Sequence, residues 1–407
     1  MKDNWKKVPL GELVTIQKGK ISEQSTYPIQ GFAPIINTDV LRGNVKVWGK
    51  IKGSVNCLED DVLILWDGER SGLCAIGHKG VLGSTFAKMN VSSELVPEYL
   101  FRVVDFNYDW IQGQRTGTGV PHVPKDLKTI FKVNYPPLPQ QQKIAKILST
   151  VDAVIEQTES AIAKYQAIKQ GLMHDLFTRG IDVSTGKLRP TPQEAPDLYK
   201  ESALGLIPRD WEDSVFKNHL IKNLYGPRFS GDDYDSEGNV KTIRGMDFSK
   251  DGEILYSQAP IALLPKSKVY SHLLETGDVV MVTTADCGLT AVFEEQDFQF
   301  IPSAYSVKFR FNEEIEPYFI KFFMQTDKAK RLVNKYVRQG TLGNLPGSDV
   351  LGFNISLPKI DEQKIIIEKL KAVESKIQTE QQALAKYQQL KSGLLQDLLT
   401  GKVEVGV

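Results

Sequence analysis

Cysteine is scarce in this chain. Cys57, Cys74 and Cys287 are the only three among 407 residues, they lie far apart, and none forms a CxxC pair. A disulfide framework and a cysteine-rich zinc site are therefore excluded, and the usage suits a reducing cytoplasm. Long hydrophobic runs are missing as well. No stretch reaches the roughly 18 apolar residues of a membrane helix, and Met1-Lys2-Asp3-Asn4-Trp5-Lys6-Lys7 has no apolar signal core behind it. A cytoplasmic protein with no membrane partner is expected. Neither sign of charge is in excess, with 50 Lys and Arg against 50 Asp and Glu. A uniformly basic coat is thus excluded, while local basic faces are not.

Catalytic signatures are equally sparse. There is no Gly-x-x-x-x-Gly-Lys phosphate loop, so the chain is not expected to hydrolyse a nucleotide. Gly117-Thr118-Gly119 lacks the later glycine of a dinucleotide fingerprint. Asn134-Tyr135-Pro136-Pro137 has the wrong order for the Asn-Pro-Pro-aromatic motif of amino-methyltransferases. The five histidines (His78, His122, His174, His219, His272) show no paired ligand spacing, and no Gly-x-Ser-x-Gly elbow occurs. No metal, cofactor or catalytic residue is expected.

What is present is a duplication. At about 150 residues per domain the length predicts two or three domains, and 41% hydrophobic with 25% charged residues is ordinary globular composition. Ala163-Lys164-Tyr165-Gln166 recurs 222 residues later as Ala385-Lys386-Tyr387-Gln388. At the same offset Lys169, Gly171, Leu172, Asp175, Leu176 and Thr178 recur as Lys391, Gly393, Leu394, Asp397, Leu398 and Thr400. Each copy follows a Leu-Pro, Leu138-Pro139 and Leu357-Pro358. Upstream the echo is fainter. Asp61-Val62-Leu63-Ile64-Leu65 resembles Asp278-Val279-Val280-Met281-Val282, Gly72-Leu73 resembles Gly288-Leu289, and Gly117-Thr118 stands where Gly340-Thr341 stands. An internal repeat is thus built as domain, helix, domain, helix. The expected divisions are a first globular domain over 1–138, a helix over 139–180, a linker over 181–208, a second domain over 209–356 and a second helix over 357–407. The linker, with Pro190, Pro192, Pro196 and Pro208 and no apolar period, reads as extended loop.

Apolar residues at Ile144, Leu148, Val151, Ile155, Ile162 and Tyr165, with Thr158 in one slot, keep a heptad spacing. Ile366, Leu370, Val373, Ile377, Leu384, Tyr387, Leu390, Leu394 and Leu398 keep it in the second copy. Such a seam over four heptads predicts antiparallel coiled-coil partners within the chain, each helix about 50–60 Å long. The glutamine-rich shoulders (Gln140, Gln141, Gln142; Gln378, Gln381, Gln382, Gln388, Gln389) fit either polar contacts with a partner or solvated faces.

Both globular halves read as α+β, with buried-strand candidates at Val62–Trp66 and Val279–Thr284 and one helical stretch each, at about Pro97–Trp110 and Pro317–Val337. Residues 1–138 hold 17 basic and 14 acidic residues, a net of +3, and residues 201–356 hold 17 and 22, a net of −5. The second value counts against a simple nucleic-acid reading, but distribution restores it. Lys328, Arg331, Lys335 and Arg338 are spaced three, four and three, which places them on one helical face. The loop Gln339-Gly340-Thr341-Leu342-Gly343-Asn344 follows. A basic stripe holds phosphates and a polar loop beyond it reaches base edges; the competing reading is an ordinary solvated face. In the first half the matching loop is Arg115-Thr116-Gly117-Thr118-Gly119-Val120-Pro121-His122. Lys18, Lys20, Arg70, Ser71, Arg228 and Arg244 lie on further loops with readout chemistry. The candidate DNA-binding set is therefore Lys18, Lys20, Arg70, Ser71, Arg115, Thr116, Thr118, His122, Arg228, Arg244, Lys328, Arg331, Lys335, Arg338, Gln339, Thr341 and Asn344.

Gly117-Thr118 with His122-Val123, Lys125 and Leu127, then Pro136-Pro137-Leu138-Pro139 with Gln141-Gln142-Lys143-Ile144-Ala145, form a distinctive series. Lys164-Tyr165, Lys169, Gly171-Leu172 and Thr178-Arg179-Gly180 continue it, and Leu206-Ile207-Pro208 with Trp211 opens the second half. Across essentially its whole length the chain resembles the DNA-specificity subunits of type I restriction–modification systems. The second copy departs from pattern at Leu357-Pro358-Lys359-Ile360-Asp361-Glu362-Gln363, where Glu362-Gln363 keeps the expected end. The resemblance implies two target-recognition domains, each reading half of a bipartite DNA site, with spacer helices setting the gap. It also implies partners: double-stranded DNA, two methyltransferase subunits and ATP-dependent restriction subunits, with methyl donor and ATP belonging to those partners and no catalysis in this chain. Two other readings stand beside it, a stand-alone bivalent DNA-binding regulator and a coiled-coil adaptor for proteins.

Overall fold

Val62-Leu63-Ile64-Leu65 is an unbroken apolar run, the pattern of a strand covered on both faces, and all four side chains are buried in the computed structural model, which describes residues 5–117 and 119–406. It is an inner strand of a four-stranded antiparallel sheet ordered Val14–Lys18, Phe86–Val91, Val62–Leu65, Cys74–Ala75. The second half repeats that sheet as Leu220–Tyr225, Ser306–Phe311, Val279–Val282, Thr290–Val292. A two-stranded ladder ties the ends of each domain together: Lys6–Pro9 with Lys132–Tyr135, and Glu212–Val215 with Asn354–Leu357. The outer sheets differ, five strands in the first half and three in the second. Both halves are α+β, as the sequence predicts.

Each expected helical stretch is two helices. Pro97–Phe106 is followed by Tyr108–Gly113, and Pro317–Gln325 by Asp327–Tyr336. The second break lies at Thr326, whose extended backbone (ψ 155°) ends one helix and whose hydroxyl accepts from the Ala329 N–H to cap the next. The Gly-Leu echo also has a cause. Gly72 and Gly288 both have positive φ (99° and 86°), and a Cβ there would press on Ile111 and Val333, on the second helix of each pair.

The long helices span Leu138–Leu176 and Ile360–Leu399. The chain divides into two units, residues 1–161 with 380–407, and residues 162–379. Each unit therefore holds a globular domain, the first part of its own helix and the last part of the other. In the first unit Lys391 Nζ lies 2.7 Å from Asp152 and Asn134 Nδ2 donates to the Leu399 carbonyl at 2.9 Å. In the second, Lys169 Nζ lies 2.7 Å from Glu374 and the Ile181 N–H donates to Glu362 at 2.7 Å. Within each unit one number rises as the other falls, so the segments run antiparallel. Asp152 and Glu374, and Lys169 and Lys391, stand 222 residues apart, so one ion pair is made twice. Arg102 and Lys321 supply a second cation to each carboxylate.

The domain–helix corner is also made twice. Gln141 is fully buried: its carbonyl accepts from the Val96 N–H at 2.9 Å, and its amide donates to the carbonyls of Glu94 (3.1 Å) and Pro136 (2.8 Å). Gln363, also fully buried, accepts from Glu316 N–H at 2.9 Å and donates to Glu314 (2.8 Å) and Pro358 (2.9 Å). Beside them Trp5 Nε1 donates to Gln140 at 3.0 Å and Trp211 Nε1 to Glu362 at 3.1 Å. Each indole covers a positive-φ glycine just past the other long helix, Gly401 (73°) and Gly180 (66°), where a Cβ would meet the ring.

Three sequence expectations change here. Gln140 and Gln141 are buried corner residues rather than outward shoulders, because the helix start is sealed against the domain; Gln142, Gln378, Gln381, Gln382, Gln388 and Gln389 are exposed. Leu390 is 51% exposed and off the seam, where Lys391 takes its place opposite Asp152. Residues 181–208 are not an extended loop. They form two short ladders, Ile181–Asp182 with Lys187–Leu188 and Tyr199–Lys200 with Ile207–Pro208, with Ile181, Tyr199 and Ile207 buried. Arg189 fixes this segment by two bonds to Glu362 (2.5 and 3.0 Å) and one to Asp210 (2.8 Å). Among the described residues no helix is long and apolar enough to cross a membrane, and no cluster of three or more His, Cys, Asp or Glu is arranged to hold a metal.

Candidate nucleic-acid interface

The apolar run of each inner strand ends in a loop, and a second loop from beyond the helix pair is stitched to it. In the first unit Thr116 and His122 exchange backbone bonds (3.1 and 2.9 Å), closing a seven-residue loop. The Val123 N–H then donates to Trp66 O (2.9 Å), and Gly68 N–H to Pro121 O (2.8 Å). In the second unit Arg338 and Asn344 exchange the same pair (2.8 and 3.1 Å), Leu345 N–H donates to Thr283 O (2.8 Å) and Ala285 N–H to Gly343 O (2.9 Å). The stitching aligns Thr116 with Arg338 and His122 with Asn344. It therefore shifts the Gly117-Thr118 to Gly340-Thr341 alignment by one residue: Gly117 stands opposite Gln339. At the tips Val120 and Leu342 occupy the same position, 56% and 61% exposed.

Around the first loop, Asp67 gathers two of the predicted residues. It accepts from Lys18 Nζ at 2.8 Å through one carboxylate oxygen and from His122 Nδ1 at 2.7 Å through the other. Arg115 is exposed, its guanidinium donating to the carbonyls of Glu69 (2.7 Å) and Gln112 (2.8 Å). Lys20 and Arg70 are exposed. Ser71 leaves the candidate set: it is fully buried, its hydroxyl unpartnered, and a side chain with no exposed surface cannot reach a ligand. Thr118 lies outside the described residues.

In the second unit Arg331 and Lys335 are exposed on the helix Asp327–Tyr336, and Gln339, Thr341 and Asn344 are exposed on the loop. The four-residue stripe needs two corrections. Arg338 lies past the helix end at Tyr336, at the neck of the loop, with its side chain 72% exposed and 3.6 Å from Asp349. Lys328 is half-buried, and burial, helped by the nearby Arg331, draws its ammonium below the ordinary lysine range. Arg228 is exposed. Arg244 is committed to its own domain: two guanidinium nitrogens grip the fully buried Asp247 at 2.9 and 3.0 Å.

Sequence reasoning missed Asp67, which lies 55 residues from His122, so nothing in linear spacing marks the pair. It also missed Ala285, the one non-glycine with positive φ (65°) among the described residues, at the position Gly68 (114°) holds in the first unit. Strained backbone of this kind gathers at binding sites. The signal was available in the Asp67-Gly68 to Thr284-Ala285 correspondence. The arrangement supplies cations for phosphates and short polar side chains on pinned loops, the two ingredients of protein–DNA contact.

Residues 2–165 and 208–389 match the family described as Type I restriction modification DNA specificity domain. Over 99% of its length the chain is 26% identical to the Type I restriction enzyme MjaVIII specificity subunit of Methanocaldococcus jannaschii, covering 94% of that protein. It is 21% identical to the EcoBI specificity subunit of Escherichia coli, over 98% of this chain and 86% of that one. Among solved structures it is similar to the type I restriction–modification S subunit from M. genitalium, with TM-score 0.62 and 15% identity over 97% and 96% of the two chains. A second structure, titled for complex assembly and conformational transition of the type I R-M system, has TM-score 0.56 and 17% identity over 98% of both chains. With the family match covering most of both halves, the chain belongs to the type I restriction–modification DNA-specificity family.

Proposed function

We propose that this chain is the non-catalytic, sequence-reading subunit of a cytoplasmic type I restriction–modification complex. Residues 1–138 and 209–356 are its two recognition domains, each taking one half of a bipartite, asymmetric site in double-stranded DNA. The spacer helices, 139–180 and 357–407, set the unread gap, with 181–208 as the linker. The observation that carries the reading is the pair of equivalent pinned loops bearing different side chains, His122 in one and Asn344 in the other, on otherwise repeated stitching. Two equal frames with unequal readers are what an asymmetric site requires, just as dimeric readers match half-site spacing to their own.

The helices support docking of two equal partners, the methyltransferase subunits, with ATP-dependent restriction subunits completing the assembly. Lys164, Ile168, Gly171 and Asp175 share a helical face, and Lys386, Leu390, Gly393 and Asp397 repeat it. Ile168 is 43% exposed and Leu390 51%. Gly171 and Gly393 are helix-interior glycines with open space where a Cβ would stand, so nothing among the described residues requires them. Each costs its helix about 1 kcal/mol relative to alanine, which a closely approaching partner backbone would explain.

The test is to express the chain with its methyltransferase partner in an unmethylated host and sequence single molecules for modified adenine. A two-part motif with a fixed gap, present only with this chain, is the expected result. No new methylation, with both proteins expressed and no co-purification, would turn the reading toward the stand-alone binder or the adaptor.

A further inference from the structure

The His122 ring is held in one orientation by a group that only accepts. The Asp67 carboxylate also receives Lys18, and His122 Nδ1 lies 2.7 Å from its free oxygen. A carboxylate flanked by an ammonium accepts rather than donates, so Nδ1 carries the proton. In the neutral ring Nε2 is then a bare acceptor. Nε2 has no partner among the described residues, and the side chain is 45% exposed on a loop whose backbone is pinned at both of its ends. Gly117 gives the ring its room: a Cβ there would stand 3.2 Å from the imidazole Cδ2.

The equivalent position in the second unit carries Asn344, and Thr284 stands where Asp67 stands. Asparagine offers one acceptor and two donors and needs no orienting carboxylate to define them. The backbone frame is repeated, and the side-chain chemistry at its neck differs between the two units.

We infer that position 122 is a base-reading seat, and that His122, oriented by Asp67, accepts a hydrogen bond from the exocyclic amine of one base in the first half-site. Cytosine N4 and adenine N6 present such donors in the major groove, whereas guanine O6 and N7 and thymine O4 present only acceptors. Guanine or thymine at that base edge is therefore disfavoured. Asp67 acts as a positioning residue, and Asn344 is the corresponding reader of the second half-site. This inference rests on the specificity-subunit reading.

The test uses the complex with its methyltransferase subunits and the motif from the methylation map. Duplexes are made in which each exocyclic amine of the first half-site is removed singly, with purine in place of adenine and 2-pyrimidinone in place of cytosine. One position should lose affinity by about tenfold or more with the wild-type complex. His122→Ala should bring that ratio near one while leaving the second half-site's preferences intact. Asp67→Ala should lower the same ratio while leaving the second half-site's preferences intact, a separation that a merely structural role would not give. His122→Asn, of similar polarity, serves if the alanine variant does not assemble, and should change the base preferred at that one position. An amine ratio that is the same in wild type and variant, with the bipartite motif present, would overturn the inference alone. Absence of any bipartite motif with the wild-type chain would overturn the specificity reading and this inference with it.

Discussion

At the start of its long helix the first unit sets Gln140 against Trp5, and at the matching place the second sets Glu362 against Trp211. The neutral version satisfies an indole and little else, its amide passing on to Glu404 at 3.2 Å. The charged version is 3% exposed and collects the indole, the Ile181 N–H and two bonds from Arg189. One glutamate thereby anchors the segment after the first helix, which is why residues 181–208 are packed. Desolvation works against the Arg189 charge, but the Glu362 and Asp210 carboxylates outweigh it and raise the guanidinium above its ordinary range. A repeated frame can thus take on a second task at one position while keeping its geometry elsewhere.

The largest effect should come from breaking that charged corner. Glu362→Ala leaves Arg189 with the exposed Asp210 as its one carboxylate, and loss of one partner of a buried pair costs about 3–5 kcal/mol. Gln140→Ala removes a neutral partner and should cost about 1–3 kcal/mol. Denaturant unfolding followed by tryptophan fluorescence compares the two, and equal costs would contradict the contrast drawn here. On the binding side, replacing Arg331, Lys335 and Arg338 with alanine should weaken DNA affinity alike across sequences. The salt slope should fall by about one for each phosphate that is no longer neutralised. Lys328→Ala should add little, and binding unchanged in the triple variant would remove the stripe from the interface. Gly171→Ala and Gly393→Ala should each stabilise the isolated chain by about 1 kcal/mol and weaken co-purification of the methyltransferase. Stability gained with the partner still bound as before would refute the docking face. Smallest, Ala285→Gly should raise stability by at most about 1 kcal/mol by relieving the left-handed backbone, with DNA affinity unchanged.

Much of the frame was legible in the sequence because it rests on local rules. Apolar runs marked the inner strands, heptads the helices, and the Gly-Leu echo the repeat itself. What was hidden depends on contacts across the chain. Periodicity places Gln140 and Gln141 on a helix face but cannot say that a domain lies over that face, so these corner glutamines read as shoulders for a partner or for solvent. Arg338 kept helical spacing with Lys335, yet the helix ends two residues earlier, where the chain turns to pair with Asn344. Ser71 looked like loop chemistry because it follows Gly68-Glu69-Arg70, while its own side chain is buried. Of the candidate interface, the two loops were found and their register was not, since a one-residue difference between the halves is visible only through the backbone pairs.

The division between a repeated frame and interchangeable readers is tested most directly by a chimera. Residues 216–353, between the strands of the second closing ladder, are replaced by residues 10–131 from between the strands of the first. The long helices are untouched, and Glu94 and Val96 bring in the backbone partners that Gln363 takes from Glu314 and Glu316. Expressed with the methyltransferase subunits, this chain should direct methylation to a site in which the first half-site occurs twice, inverted, around the original gap. Retention of the original second half-site, or a changed gap, would contradict the account.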